Sequence, residues 1–290
     1  MLLLVALMKI DLHTHSNKSD GTMSPTELVQ HAIINGLDLI ALTDHDTIAG
    51  WSEATGAIRG DFQLALGAEI SCLTDEHKSV HILGLLFDSQ YLPLQEAMAA
   101  SRDDRVPRMK RMIELMAADG IAITFQEVMA ELPDGATLGR PHLADALVAK
   151  GLVRNRDQAF AELLNNDSKY YVSHVSPKPI EAIQLIKAAG GVSVIAHPGA
   201  SFPGLNMELF AEYKRNGLSA IEVAHRDHSP AERELLSNFA SELDLVQTGS
   251  SDFHGSGKLN LIGENLTAPD QWERLESMAQ TREVRSANNR

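Results

Sequence analysis

The stretch Lys9-Ile10-Asp11-Leu12-His13-Thr14-His15 decides the fold of this 290-residue chain. Its apolar positions predict a short buried strand, and the strand is followed by two histidines that stand two residues apart. Residues i and i+2 at a strand end point to the same side, so the imidazoles of His13 and His15 can reach one metal ion. The pattern therefore predicts a metal site at the end of a strand.

Similar packets recur along almost the whole chain. They combine histidine with carboxylate residues: Ser19-Asp20-Gly21, Thr43-Asp44-His45-Asp46, Glu69, His81, Ala196-His197-Pro198 and Ser251-Asp252-Phe253-His254-Gly255. Imidazole and carboxylate are the ligands of divalent zinc, manganese and iron, and a nucleophilic triad needs neither so many nor such pairs. The sequence predicts a polynuclear metal site.

Charge and cysteine content limit the possible partners. The chain has 25 Lys plus Arg against 39 Asp plus Glu, a net charge of −14. An extended nucleic-acid surface would be basic and is not expected, although a metal cluster can still bind the end of a nucleic acid. The single Cys72 excludes an internal disulfide and favours the reducing cytoplasm. No obligate protein partner is inferred.

The apolar start Met1–Met8 resembles a targeting segment only superficially. It lacks a basic region and a cleavage site, and it is far shorter than the ~20 apolar residues of a membrane span. We expect no membrane association. The segment is predicted to extend the first strand, or to lie upstream of a true start at Met8.

Seven short apolar stretches predict strands, and helical patterns lie between several of them. The strand-like stretches are Lys9–Leu12, Leu37–Leu42, Gln63–Ile70, Val80–Phe87, Val192–Ala196, Ala220–Ala224 and Leu245–Gly249. One helix has a clear start, with Ser24 as N-cap, Pro25 after it and Glu27 closing a capping box. Alternating strands and helices predict an α/β fold with a mostly parallel sheet, here a distorted seven-stranded barrel.

His81 opens its strand, whereas the other ligand packets follow theirs. The residues between Glu69 and His81 are too few for a parallel crossover, which needs a dozen or more residues including its helix. Residues 71–79 are therefore predicted to form a hairpin-like connection. The next strand then runs antiparallel, and His81 lies at the same end of the barrel as Glu69.

Residues 89–168 break the alternation. Their spacing predicts only helices, at Ser101–Ala118, Phe125–Leu132, Arg140–Lys150 and Arg156–Leu164. We predict a helical insertion domain over residues 89–168, attached to a barrel domain formed by residues 1–88 and 169–290. A surface helix is expected at Asp270–Gln280.

The packets resemble the signatures of the PHP (polymerase and histidinol phosphatase) superfamily of metal-dependent phosphoesterases. Asp-Leu-His-Thr-His-Ser resembles the first signature, and Thr-Asp-His-Asp, Ala-His-Pro and Ser-Asp-Phe-His-Gly resemble later ones in the same order. The match covers residues 9–88 and roughly 170–265. The run Asp11–Gly21, the helical insertion and Gly139-Arg140-Pro141-His142 are most similar to the branch of 3′,5′-nucleotide bisphosphate phosphatases and ribonuclease AM, a 5′-to-3′ exoribonuclease.

The resemblance implies a PHP-type barrel with two or three divalent ions. His13, His15 and Asp252 would hold the first ion, and Glu69 would bridge it to the second, which His81 and His197 complete. Asp20, His45 and His254 would hold the third. Nitrogen ligands mixed with oxygen and no required cysteine favour Mn²⁺, with Zn²⁺ or Fe²⁺ as alternatives.

Further residues are candidates for roles around the metals. Asp44 is interpreted either as a carboxylate that orients a ligand imidazole or as an ordinary surface residue. Arg140 and His142 flank a proline in a Gly-containing turn, which suits a phosphate clamp, since Arg binds phosphate bidentately; the alternative is a helix-start cap. His225 follows a strand and is a candidate phosphate contact.

Two other groups of residues have open interpretations. The cations Arg102, Arg105, Arg108, Lys110 and Arg111 have helical spacing. They form either a solvated helix face or a guide for a polyanionic substrate. His31, His77 and His174 are interpreted as surface or structural residues.

These observations predict a metal-dependent phosphatase in which metal-activated water attacks phosphorus. The resemblance implies conversion of a 3′,5′-nucleotide bisphosphate to a nucleoside monophosphate, and trimming of short RNA from its 5′ end. One alternative is histidinol-phosphate phosphatase. The alternative of another class is a non-catalytic metal-binding PHP module, but such modules usually lose ligands and this chain keeps all nine.

Overall fold

The computed structural model describes residues 8–76, 78–133, 136–173, 175–201, 205–281, 284–287 and 289. The predicted strand extension through residues 1–7 lies outside the described residues, and so do His77 and His174. No helix in the described ranges is long and apolar enough to cross a membrane.

The sheet follows the order of the chain from β1 to β7, and β8 pairs with β3 outside this path. Its strands are β1 Ile10–Thr14, β2 Leu39–Leu42, β3 Gln63–Leu73, β4 Ser79–Leu85, β5 Val192–Ile195, β6 Ala220–Ala224, β7 Val246–Gly249 and β8 Val284–Arg285. β4 is antiparallel to both of its neighbours, and the pairs β1–β2, β2–β3, β5–β6 and β6–β7 are parallel. The predicted reversal before His81 and the distorted seven-stranded barrel are confirmed. β8 was not predicted.

The barrel is nearly closed, with a seam between β1 and β7. Single bridges span the seam: Thr14 pairs with Phe253, and Ile10 pairs with Thr267. The N–H of His15 also donates to the carbonyl of Phe253 at 2.8 Å. The loop after β7 therefore completes the wall and carries residues 251–254 to the end of β1.

Helices surround the sheet and form the insertion. They are α1 Pro25–Ile34, α2 Trp51–Ala57, α3 Leu92–Ala118, α4 Phe125–Ala130, α5 Arg140–Ala149, α6 Arg156–Ala159 with a π-helical turn Phe160–Leu164, α7 Pro179–Ala188, α8 Pro198–Ser201, α9 Met207–Asn216, α10 Pro230–Glu242 and α11 Pro269–Met278. The capping box predicted at Ser24 and Glu27 is present. The helix predicted from Ser101 begins earlier, at Leu92, because Leu94 and Met98 add buried positions.

Three apolar clusters hold these layers together. One packs the surrounding helices onto the outside of the sheet, around residues such as Ile70 and Phe210. A second includes the barrel residues Leu12, Val194 and Val246. The third lies within the insertion and is formed by α3, α4, α5 and the segment after them: Met109, Met112, Ile113, Met116, Ile123, Val128, Leu138, Leu143, Ala144, Ala146, Leu147, Val153, Ala159, Leu164 and Tyr170. This cluster consists of residues of the proposed insertion together with Tyr170, just beyond its predicted end, and the division of the chain at residues 89–168 stays a prediction.

Replacing Leu147 with Ala should lower the free energy of unfolding by about 2–5 kcal/mol, because the fully buried side chain leaves a cavity in the insertion core. Leu152→Ala is the control, since Leu152 is 44% exposed and should change stability by less than about 0.5 kcal/mol. Urea unfolding followed by circular dichroism measures both. Equal small effects would contradict a packed core in the insertion.

Candidate metal centre

The first ligand group is formed where β1 meets the loop after β7. The Nε2 atoms of His13 and His15 are 2.9 Å apart. Oε2 of Glu69 lies 3.2 and 3.1 Å from these nitrogens, and Oδ1 of Asp252 lies 3.4 and 3.3 Å from them. Four donors from three separate parts of the chain therefore surround one point.

The spacing of these donors fits a metal ion. A tetrahedral ion with bonds of about 2.0–2.1 Å places its ligand atoms about 3.3–3.4 Å apart. The donor pairs of this first group are close to that separation, and His13, His15, Glu69 and Asp252 are all buried. Paired nitrogens and carboxylate oxygens out of water are unfavourable unless a cation or protons lie between them.

Glu69 connects this group to a second one. Its other oxygen, Oε1, lies 2.7 Å from Nδ1 of His81 and 3.1 Å from Nε2 of His197. The antiparallel direction of β4 is what brings His81 to this end of the barrel. The two oxygens of one carboxylate therefore face two neighbouring ligand sets, as a bridging ligand would.

A third group lies on the outer side of the cluster. Nε2 of His254 is 3.2 Å from Oδ1 of Asp20, and Nε2 of His45 is 3.6 Å from Oδ2. The other ring nitrogen of His45 lies 3.2 Å from Oε2 of Glu69. His45 thus stands between the second and third groups, and the structure brings all nine predicted ligand residues to one end of the barrel.

Unpaired buried atoms support a fit to divalent ions. Among the described residues, these cluster atoms have no hydrogen-bond partner: Asp20 Oδ1, His45 Nδ1, Glu69 Oε2, His81 Nδ1, His225 Nε2 and His254 Nε2. Buried polar atoms are rarely left unpaired, so such a concentration is typical of a site that binds cations. The electrostatic environment agrees: burial opposes charge on His15, but the adjacent carboxylates of Asp252 and Glu69 raise its pKa to about 9. Metal binding would displace such protons.

Glu222 contacts the cluster from β6, and it was not among the site residues predicted from the sequence. It is buried in β6, where Oε1 lies 3.2 Å from Nδ1 of His13 and Oε2 accepts from the N–H of His197 at 2.6 Å. Burial raises its pKa, but the charge of His13 outweighs this and lowers the pKa to about 2. The signal was present as a lone acid in the apolar strand Ala-Ile-Glu-Val-Ala.

Asp44 lies behind the cluster, but it does not orient an imidazole directly. Its oxygens accept from the N–H and Oγ of Ser16 at 2.8 and 2.7 Å and from Oγ of Ser19 at 2.7 Å. Ser19 in turn is 3.4 Å from Nδ1 of His15. Asp44 therefore fixes the loop that carries Asp20, and the direct contact predicted for it is made by Glu222 instead.

His225 is fully buried beside the cluster, with Nε2 3.9 Å from Oδ2 of Asp252. Its Nδ1 accepts from the N–H of Asp227 at 3.2 Å, so the neutral ring carries its proton on Nε2. Burial lowers the pKa of His225 to about 4 and keeps it neutral. Nearby His228 is satisfied by Val223 and Gly199 and is structural.

A pocket of about 500 Å³ opens beside the second and third ligand groups, between the barrel and the insertion. Its lining includes Asp20, His45 and His81 from the cluster. Six cations from both parts of the chain also line it, and they outnumber the two acids outside the cluster, Asp157 and Asp227: Arg105, Arg108, Arg140, Arg156, Arg226 and Lys258. The arrangement suits a polyanion that reaches the metal cluster.

The α3 arginines divide between the two interpretations made from the sequence. Arg105 and Arg108 face the pocket, whereas Arg111 is exposed and pairs with Glu114. Arg140 also lines the pocket. His142 does not: it is 2% exposed, lines a neighbouring cleft, and accepts from the N–H of Gly139 at 3.0 Å as a helix cap.

Comparisons with known proteins agree with this geometry. The PHP domain family matches residues 11–134. A 5′-3′ exoribonuclease of Haemophilus influenzae is 36% identical over 92% of this chain and 99% of its own. A 3′,5′-nucleoside bisphosphate phosphatase of Chromobacterium violaceum is 34% identical over 87% of this chain and 89% of its own.

A solved structure gives the same result at the level of the fold. A Bifidobacterium adolescentis protein, described from its structure as a metal-dependent phosphoesterase, superposes with a TM-score of 0.87 at 40% identity and covers 94% of this chain and 96% of its own. The chain belongs to the PHP family. The predictions of a PHP-type barrel and of an enzyme of the phosphoesterase class are confirmed.

Replacing Glu222 with Gln should weaken metal binding by about 10–100-fold, because the variant loses the charge that holds the ring of His13 and the backbone N–H of His197. Glu208→Gln is a matched control at an exposed helix start. Titration of metal-free protein with Mn²⁺ in a calorimeter measures the difference. Unchanged affinity in the Glu222 variant would show that these two ligand residues are held without it.

Proposed function

We propose that this protein is a phosphatase that removes one phosphate from 3′,5′-nucleotide bisphosphates and also trims short RNA from its 5′ end. The observation that carries the proposal is the pocket of cations beside the ligand groups. The ligand groups can hold one phosphate, and the guanidinium groups that line the same pocket can hold a second one. The exoribonuclease and the bisphosphate phosphatase to which the chain is similar act on substrates of this kind.

The nine residues assigned to the metals are divided among three positions. His13, His15, Asp252 and Glu69 would hold the first ion, Glu69, His81 and His197 the second, and Asp20, His45 and His254 the third. When bound, two or three such ions would supply Lewis acidity toward the phosphoryl oxygens and lower the pKa of the attacking water. We assign Mn²⁺ as the native ion, with Zn²⁺ or Fe²⁺ as alternatives, because nitrogen and oxygen ligands are mixed without thiolate.

Arg108 and Arg140 form the candidate subsite for the second phosphate. Their guanidinium carbons lie 5.3 and 5.5 Å from the ring centre of Tyr171. Burial is the largest cause that lowers the pKa of Arg108 to about 10, and the charge of Arg140 contributes to the same shift. Two partly buried cations beside one ring favour an anion next to them.

The partners of these arginines leave their charges available. Arg140 donates to the carbonyl of Leu164 at 2.7 Å and to Oδ1 of Asn166 at 2.8 Å, and neither acceptor is charged. Arg108 donates through Nε to the carbonyl of Val172, while its Nη2 has no hydrogen-bond partner among the described residues. Both guanidinium groups are thus positioned by the insertion in advance of substrate.

His225 is assigned a contact at the reacting phosphate. Its Nε2–H points to the side of Asp252 that faces away from His13 and His15. A neutral imidazole there donates a hydrogen bond without repelling the ions. His142 is withdrawn from the substrate-binding set, because it caps α5 and lines the neighbouring cleft.

The charge of the pocket also separates the rival substrates. Histidinol phosphate carries an ammonium group, which the six cations of this pocket would repel more than its two acids, Asp157 and Asp227, would attract. A second phosphate or an RNA backbone is attracted to the cations instead.

The lone Cys72 is free and buried, and we place the enzyme in the cytoplasm.

Profiling phosphate release tests the proposal. The Mn²⁺-loaded protein should hydrolyse adenosine 3′,5′-bisphosphate with a kcat/KM at least 100-fold above that for histidinol phosphate. A short 5′-phosphorylated RNA should be shortened from its 5′ end. Preference for histidinol phosphate, or no release from any of the three, would reject the proposed function.

Replacing His13 with Ala should nearly abolish phosphate release, because the first ion loses a ligand and the water is no longer activated. Asp44→Ala should lower the rate of phosphate release by only about 10–100-fold, since Asp44 acts through Ser16 and Ser19. Steady-state kinetics with excess Mn²⁺ measures both variants. Substantial activity of His13→Ala would place the attacking water elsewhere.

Replacing Arg140 with Ala should lower kcat/KM for a 3′,5′-bisphosphate. The corresponding loss of transition-state stabilisation should be ~2–4 kcal/mol, the scale of removing a charge-assisted hydrogen bond from a desolvated site. Hydrolysis of p-nitrophenyl phosphate, which has no second phosphate, should change little. Arg111→Ala is the matched control at an exposed position of the insertion. Equal decreases on both substrates would mean that Arg140 serves the reacting phosphate or the fold.

A further inference from the structure

The insertion contacts the barrel next to the residues assigned to the third ion. The N–H of Thr137 donates to the carbonyl of Lys18 at 3.0 Å, two residues before Asp20. Nη1 of Arg156 lies 3.5 Å from the carbonyl of Asp20 and 3.3 Å from that of Gly257. Arg156 is itself held by a bidentate pair of 2.5 Å contacts with an acid on α5.

A second attachment lies on the other side, at the residue after His45. Asp46 is fully buried, has a positive φ of 53°, and donates its N–H to the carbonyl of Glu69 at 2.9 Å. Its carboxylate accepts from the N–H and Oγ of Ser71, both at 2.8 Å. This acid therefore fixes the backbone between His45 and Glu69.

Two arginines of α3 hold Asp46. Arg105 donates through Nη2 to the Asp46 carboxylate and through Nη1 to the carbonyl of Leu138 at 3.0 Å. Arg102 donates to the Asp46 carbonyl. One guanidinium thus joins the segment behind His45 to the insertion loop that precedes Arg140.

The first ligand group is supported differently. His13 contacts Glu222 of β6, and the backbone of Ser251, next to Asp252, donates to Asp11 of β1 at 3.0 Å. Asp11 also accepts from Oγ of Ser251 at 2.6 Å and from the N–H of Gly263 at 2.8 Å. These groups all belong to the barrel, so the insertion supports the first ion less directly, through the contact of Asp46 with the backbone of Glu69.

We propose that Arg105 and Arg156 are positioning residues through which the insertion assembles the third metal position. They hold the segments of Asp20 and His45 from opposite sides, and those segments come from separate loops. The proposal rests on the metal assignment made under the proposed function. It implies that the third ion binds in concert with docking of the insertion, while the first two ions depend on the insertion less, through the contact of Asp46 with Glu69.

Metal titration of the full chain tests this without any substrate. Metal-free wild-type protein and the variants Arg105→Ala and Arg156→Ala are titrated with Mn²⁺ in a calorimeter, and bound metal is counted by mass spectrometry after desalting. Both variants should lose one equivalent per chain, or bind it at least about 10-fold more weakly, while the other equivalents are weakened less. Arg111→Ala and Arg154→Ala are the exposed controls and should match the wild type.

Two further variants separate positioning from general stability. Gly257→Ala keeps Arg156 but places a methyl group against its guanidinium, so it should weaken the same equivalent. Arg105→Lys keeps the charge beside Asp46 and should restore part of the affinity. The proposal would be overturned if the Ala variants bound every ion as tightly as the wild type does, or if every equivalent were weakened equally. It would also be overturned if the wild-type protein bound only two ions. If the metal titration gives the expected result but the protein hydrolyses no nucleotide, only the proposed function is rejected.

Discussion

The buried carboxylate of Glu69 is the group on which the rest of the site depends. Its oxygens face imidazole nitrogens of five histidines at 2.7–3.2 Å: His13, His15, His45, His81 and His197. A carboxylate in such a position is stable only with a positive charge close by. Burial raises its pKa, but the surrounding histidines lower it well below the usual value. The Glu69 carboxylate therefore stays negatively charged and can bind cations, and the strands are arranged around it.

Much of the barrel could be predicted because most of its strands are short and apolar and contain or precede a ligand residue. The reversal at β4 followed from the length of the connection alone, since no crossover helix fits there. The β8 pairing could not be found, because two residues without an apolar pattern carry no signal. The early start of α3 was missed for a related reason: Leu94 and Met98 belong to the same helix, but polar residues separate them from the regular stretch after Ser101.

The candidate site shows the same division. Ligand residues stand in recognisable motifs, so their convergence was predictable from the order of the strands. Glu222 and Arg105 act at a distance in the sequence: Glu222, for example, lies 3.2 Å from His13 although 209 positions separate the two residues. Asp44 was assigned to an imidazole because of its position in Thr-Asp-His-Asp, yet local serine donors were closer. The partners of a side chain depend on packing, which the spacing of a motif does not determine.

The seam between β1 and β7 has a consequence for how the chain folds. Asp11 and Ser251 meet across 240 positions of sequence, and this closure must occur before His13 and Asp252 can share an ion. Contacts of such separation form late and slowly. An ion that binds only the closed barrel stabilises it by mass action, by about 2.7 kcal/mol at a concentration 100 times its dissociation constant. When it holds its ions, the metal centre thus also stabilises the contact between β1 and the loop after β7.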